Sequence, residues 1–352
     1  MRNVVFINDA PVNTGVGNNS MLFIDALSPF VDLSIINLSF SPEYKFYKGN
    51  LKRFDYFSNP DLNRVIQFIK KIKIDGLDKY VFFGDGAIIN FIKNVNKIQK
   101  GFVFIHHMNI LKNPASYPVI HRIILKRTLK IIENSDLYII TLSEFTKKLI
   151  IDFTKIDENR IKTIYPYVNL PNPKNEIVEK LRNKFNGNMP IILAVGTSIP
   201  YKNFQTLYSA VKGTDLRVIR LGGKYQKEKK YILDIPNNVV FLSEGNLSLE
   251  ELSSVYSIAD VLAFTSTDEG FGFPLIEAMH FGLPVVGNKC TTVPEIVGDA
   301  GILINNPYDP EELREAIYKT LENHTFYKEK IKDREKLFSK DSYINSMLSL
   351  LE

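Results

Sequence analysis

The chain has 352 residues, 44 Lys+Arg against 39 Asp+Glu, and 45% hydrophobic residues, the composition of an ordinary soluble globular protein. That excludes disordered and collagen-like architectures, and a prior of ~150 residues per domain predicts two domains. The single cysteine, Cys290, excludes a disulfide scaffold and a Cys-rich metal cluster and points to a reducing compartment.

In chain order, Met1 and Arg2 lead directly into an apolar run at 4–7. No signal core is visible, and no stretch approaches the ~20 apolar residues that span a bilayer. The expectation is a cytoplasmic protein. Further β-rich runs follow at 33–36, 80–83, 102–105 and 137–140, with helix-like segments at 20–27, 62–73 and 120–133. The alternation pauses between 170 and 190, where Pro171, Pro173 and Pro190 sit. The domain boundary is expected near Leu170, with a short helix at 176–185 after it. Strands then recur at 191–195, 216–221, 239–242, 261–264, 284–286 and 301–304, and helices at 204–211, 249–257, 274–281 and 310–323.

Strands that are apolar on both faces and alternate with helices form parallel sheets covered by helices. The predicted fold is therefore α/β, with two doubly wound Rossmann-like domains at 1–170 and 171–337. Ligands bind such sheets outside the carboxyl ends of the strands. With two such domains the expected site is a central cleft that both face.

After the first strand come Gly15 and Gly17, then a helix. Glycines let a backbone approach a ligand, and a helix N-terminus offers N–H groups to an anion. The dinucleotide fingerprint is incomplete. Its third glycine position is Ser20, and the second strand ends in Asn37 where an acidic ribose ligand is expected. A ligand loop and a plain tight β–α turn remain the two readings. The first 170 residues are net basic and the remainder net acidic. That fits either an anionic partner or a solvated basic surface.

The most informative stretch is Glu269-Gly270-Phe271-Gly272-Phe273-Pro274-Leu275-Ile276-Glu277-Ala278. A strand ends at Phe264, a turn with two glycines follows, and Pro274 opens a helix. The helix N-terminus points its amides into the space between a loop carboxylate, Glu269, and a helical one, Glu277. Amides suit a phosphate and carboxylates suit hydroxyls. Taken singly, either glutamate reads as a surface or capping residue; together with the glycines and the proline, they read as a ligand site.

This run resembles the E-x7-E motif of the retaining GT-B glycosyltransferases of family 4 (glycosyl transferases group 1). The resemblance continues through Gly282-Leu283-Pro284-Val285-Val286, Pro294-Glu295 and Gly298-Asp299-Ala300-Gly301. It reaches back to Val195-Gly196-Thr197 and Tyr201-Lys202-Asn203. The first half matches thinly, at 15–17, at Ile105-His106, at Leu142-Ser143-Glu144 and at Tyr165-Pro166. The resemblance implies that Glu269 contacts donor-sugar hydroxyls and that Glu277 holds the ribose. It implies that the backbone of 270–276 meets sugar and diphosphate, that Gly15, Gly17, Gly196 and Asn203 line the donor site, and that Lys202 neutralises the leaving diphosphate. His106 would stand close to the reacting sugar. Two departures are visible: Thr197 replaces an Arg that many members carry, and His107 replaces an Asp. Adjacent strand residues point to opposite faces, so only one of His106 and His107 can face the site, and the pair cannot hold a metal together. No Asp-x-Asp occurs in the chain. The expected enzyme is a metal-independent hexosyltransferase of mannosyltransferase-like type, without a cofactor. A C-terminal helix at 338–352 is expected to cross back to the first domain.

The first half is expected to bind the acceptor: a glycan, a lipid-linked sugar or a small molecule, and not a nucleic acid. Segments 64–73, 93–100 and 122–130 mix Lys and Arg with Ile, Leu and Phe. The helix around 120–130 reads equally as core-packed with a basic outer face or as a peripheral contact with an anionic leaflet. The alternative function is a non-catalytic subunit that binds a nucleotide sugar or glycan for a partner enzyme.

Overall fold

The computed structural model describes residues 2–8, 15–37, 51–56, 80–84, 98, 100–114, 117, 119–185, 189–224, 227, 229, 230, 232, 234–242 and 247–352, with 37, 51–56 and 120 as backbone alone. The helix expected at 62–73 and the basic segment 64–73 lie outside these residues, as does most of 93–100. The chain divides into two compact units: Met1–Tyr167 with Lys340–Glu352, and Val168–Ser339.

Among the described residues the first unit has seven parallel strands in the order β3-β2-β1-β4-β5-β6-β7. They are β1 (Arg2–Asn8), β2 (Val31–Asn37), β3 (Leu51–Tyr56), β4 (Tyr80–Phe83), β5 (Lys100–Ile105), β6 (Tyr138–Thr141) and β7 (Ile161–Thr163). Alternation along the strands divides the core into two faces. Val5, Ile7, Val81, Phe83, Val103 and Ile105 pack with Leu129, Ile132, Leu149 and Ile150 on one face. The opposite face is aromatic: Phe82 stacks on Phe102 at 4.7 Å, and Phe23 sits 4.6 Å from Phe6 and 4.8 Å from Phe82. Burial on both faces is what makes these strands continuous apolar runs.

The helix after β1 spans Gly15–Leu27. It opens five residues earlier than the expected 20–27, so Gly15 and Gly17 lie in its first turn and not in a preceding loop. Ser20 ties it down, its hydroxyl donating to Asn8 Oδ1 at 2.8 Å and to the Val16 carbonyl at 3.2 Å. Later, Ser143 caps the Glu144–Phe153 helix by accepting from the Thr146 N–H. The Lys340–Ser349 helix also belongs to this unit. Its Tyr343 ring lies 5.3 Å from Tyr167, and the Lys340 ammonium donates to Asp25 at 2.5 Å.

Among the described residues the second unit has six parallel strands in the order β10-β9-β8-β11-β12-β13. They are β8 (Ile191–Val195), β9 (Arg217–Leu221), β10 (Val239–Phe241), β11 (Val261–Phe264), β12 (Val285–Asn288) and β13 (Gly301–Ile304). Ile192, Ala194, Val218, Val261, Ala263 and Val286 meet Leu207, Val211, Leu313 and Ile317 from the helices. Phe338 is buried in this unit against Phe271, 6.2 Å between rings, so the chain leaves the unit only after Ser339. In each sheet the strand order reverses once, between β1 and β4 and between β8 and β11. Those reversals open crevices at the carboxyl ends of the strands.

Two glycines separate steric need from ligand approach. A Cβ at Gly301 would lie 1.9 Å from the Val285 carbonyl oxygen, on the paired strand, whereas a Cβ at Gly15 meets nothing within 4 Å. Gly301→Ala is expected to cost about 1–3 kcal/mol or more, read as a drop of several degrees in Tm. Gly15→Ala should leave Tm unchanged, so any lost turnover in that variant reports contact with substrate.

Candidate active site

The loop after β8 begins with Gly196. Its N–H bonds the Leu221 carbonyl at 3.0 Å, and its φ of +142° favours glycine. A Cβ here would lie 3.1 Å from Lys202 Cε. The lysine stem therefore runs directly over this backbone. The short turn Pro200–Lys202 ends at Asn203, which adopts the left-handed conformation at φ 52° and starts the Phe204–Val211 helix. The Asn203 amide donates to the Pro307 carbonyl at 2.6 Å, and its Oδ1 accepts from Thr206 at 3.0 Å. Its side chain thus turns the chain and fixes the loop.

The loop after β11 is stitched to the first one. Thr265 Oγ1 donates to the Lys202 carbonyl at 2.8 Å, and the Thr267 N–H donates to the Tyr201 carbonyl at 2.8 Å. From β12, Asn288 Nδ2 donates to the carbonyls of Thr265 and Ser266 at 2.6 and 3.1 Å. Thr292 Oγ1 donates to the Phe271 carbonyl at 2.9 Å. The result is an ion pair: Lys202 Nζ lies 2.6 Å from Glu269 Oε1, each side chain only 12% exposed. The ammonium also lies 5.5 Å from the Phe264 ring and 5.7 Å from that of Tyr201. The Tyr201 phenol is pushed up to about 12, first by burial and then by the charges of Glu269 and Asp268. It therefore stays protonated at neutral pH.

Gly272, at φ 95°, caps the Phe273–His280 helix, with Pro274 in its first turn. A Cβ on Gly272 would lie 2.9 Å from Leu275 Cδ1. Phe271, Leu275 and Ile276 are buried and anchor the motif in the core, leaving Gly270 and Phe273 half-buried. Leu275 N–H is bonded to the Gly272 carbonyl at 2.9 Å, and Pro274 has no N–H. Neither donates to a ligand. Glu277 receives a 2.6 Å hydrogen bond at Oε2 from Tyr256, whose ring stacks on Phe281 at 5.6 Å. Burial pushes the Glu277 carboxyl up, and the Tyr256 bond opposes that.

Two residues near this site were not singled out from sequence. One is Tyr256. The other is Arg220, fully buried, its guanidinium 3.4 Å over the Phe204 ring. It donates to the carbonyls of Ala194 and Leu221, the second being the carbonyl that also receives Gly196 N–H. Thr197 is exposed.

In the first unit, His106 follows β5 and is 7% exposed, stacked 6.0 Å from Phe104. His107 has different surroundings, its ring 5.8 Å from Tyr117. Among the described residues no three His, Cys, Asp or Glu side chains are grouped to hold a metal ion, and no helix is long and apolar enough to cross a membrane.

Residues 176–337 match the family model described as glycosyl transferases group 1. The O-antigen chain mannosyltransferase RfbU of Salmonella typhimurium is 28% identical over 323 residues, 86% of each chain. The serotype-specific mannosyltransferase WbdA of Escherichia coli is 25% identical over 54% of this chain and 25% of its own, longer one. Among solved structures, Anabaena Alr3699/HepE in complex with UDP and glucose superposes with a TM-score of 0.80, covering 100% of this chain and 99% of that one at 17% identity.

The ion pair and the tyrosine contact each generate a test. Lys202→Met or Glu269→Gln alone leaves one partly buried charge without its partner. The double variant should therefore be more stable than the two single losses predict, by about 1–3 kcal/mol in a Tm-based double-mutant cycle. Tyr256→Phe removes the bond that favours ionised Glu277 while keeping the ring. If Glu277 binds ribose hydroxyls as a carboxylate, nucleoside diphosphate affinity should fall roughly tenfold. Its loss on acidification should begin at higher pH than in wild type, as measured by calorimetric titration.

Proposed function

We propose that this protein, a glycosyltransferase of the GT-B architecture, moves a hexose from a nucleoside-diphosphate sugar to a hydroxyl of a growing glycan, with retention of configuration. The observation that carries the reading is the Lys202–Glu269 pair at the reversal of the second sheet, next in chain to the helix that bears Glu277. A departing nucleoside diphosphate needs positive charge and oriented dipoles. Lys202 supplies the charge and the Gly272-capped helix end supplies the dipole.

On donor binding, Lys202 exchanges Glu269 for the diphosphate, and Glu269 turns to hydroxyls of the donor sugar. Glu277 takes the ribose through the oxygen that Tyr256 leaves available. Gly196 and Gly270 let the backbone approach the donor. In the first unit, Gly15, Gly17 and His106 are the residues we assign to sugar contact. The acceptor oxygen attacks the face from which the diphosphate leaves. The anomeric C–O bond to phosphate breaks, the glycosidic bond forms, and a phosphate oxygen takes the acceptor proton. Lys202 does here what a divalent cation does in metal-dependent transferases, so the scheme requires no metal.

The mannosyltransferase relatives favour mannose as the transferred sugar and a bacterial surface polysaccharide as the acceptor class. The Val119–Glu133 helix favours a peripheral membrane contact at the cytoplasmic face. Val119 and Ile123 are exposed on it together with Lys126, Arg127 and Lys130, while Leu129 and Ile132 dock it in the core.

The test begins with UDP, GDP and ADP sugars in a thermal-shift series, since a ligand that binds only the native state raises Tm. The donor so identified should be turned over in EDTA. Glu269→Gln should reduce turnover roughly 100-fold or more while nucleoside diphosphate still raises Tm. Near-normal turnover in that variant, or binding of donor without any transfer or hydrolysis, would remove the proposed chemistry.

A further inference from the structure

One buried polar contact of the first unit has no part in the scheme above. Asn19, in the Gly15–Leu27 helix, is 1% exposed, and its Nδ2 lies 3.1 Å from His106 Nε2. Both partners are fixed. The helix is tied to the end of β1 by the next residue, Ser20, through its bond to Asn8. The imidazole lies against Phe104. Among the described residues Asn19 Oδ1 has no hydrogen-bond partner, so the contact with His106 is the polar contact that holds this amide.

An amide nitrogen donates and has no lone pair to accept with, so a ring nitrogen facing it must accept. In a neutral imidazole only one nitrogen carries a proton, and the partner of one nitrogen decides the state of the other. We infer that Asn19 is a positioning residue that fixes His106 in the tautomer with its proton on Nδ1. This rests on the reading that puts His106 at the reacting sugar. His106 then has an N–H to offer from Nδ1, which matches a sugar hydroxyl oxygen as acceptor. Asn19 sets the polarity of that hydrogen bond without touching substrate, and it does so from the helix that begins at Gly15.

Nitrogen-15 spectra of the ring-labelled full-length protein test this directly. Nε2 of His106 should resonate in the unprotonated range and Nδ1 in the protonated range. The opposite pattern in the wild-type protein overturns the inference, whatever the kinetics. Asn19→Asp places an acceptor in the same position and should move the proton to Nε2. Its turnover should fall roughly tenfold or more, the loss expected when an aligned donor at a reacting centre is removed, with donor KM nearly unchanged. Asn19→Asp added to His106→Ala should cost nothing beyond His106→Ala alone; an equal further loss would show that Asn19 acts by another route and would overturn the inference. If His106→Ala turns over normally while the wild-type spectrum shows Nδ1–H, the tautomer stands and it is the placement of His106 at the sugar that fails.

Discussion

The Lys202–Glu269 ion pair is the constraint on which the second unit's site depends. Bringing an ammonium and a carboxylate to 12% exposure costs several kcal/mol per charge unless the partner is close and well aligned. Close alignment in turn demands that two loops from different strands be held in register. Thr265, Thr267, Asn288 and Thr292 supply that hold. Gly196 supplies the room for the lysine stem. Each charge is compensated by the other, so neither is buried alone.

The location of the pair follows from topology. β8 and β11 are hydrogen-bonded neighbours although β9 and β10 intervene in sequence. The chain leaves these two strands in opposite directions across the sheet, and Lys202 and Glu269 lie in the loops that follow them.

What could be read in advance divides along the same physical lines. The inner strands Tyr80–Phe83, Ile191–Val195 and Val261–Phe264 were legible to the residue because their apolar runs coincide with the strands, and the edge strand Gly301–Ile304 because its Ile-Leu-Ile run is apolar although largely half-buried. β3 and β7 were not: edge strands pair on one side only, and Leu-Lys-Arg-Phe-Asp-Tyr and Ile-Lys-Thr carry too many polar residues to stand out. The 269–277 motif was legible because its turn chemistry is local, two glycines and a proline ahead of a helix. The start of the first helix was misread for the same reason, since two glycines resemble a loop until Ser20 and Phe23 are seen to dock the turn that contains them. Asn19 meets His106 across 87 residues and Tyr256 meets Glu277 across 21. No local pattern encodes either contact, because only the assembled sheet brings the partners together.

The return of the C-terminal helix to the first unit has a consequence for biosynthesis. Tyr343, Met347 and Leu351 are buried there, and the Tyr80 hydroxyl donates to the Leu351 carbonyl. Domains commonly complete folding from the N-terminus as the chain is made. Here that order is inverted. Val168–Ser339 is a continuous segment and holds its own six described strands when it leaves the ribosome, whereas the unit built from Met1–Tyr167 lacks part of its core until Lys340–Glu352 has been translated. The unit bearing the Lys202–Glu269 pair is thus finished first, and the unit bearing His106 is closed by the Lys340–Ser349 helix.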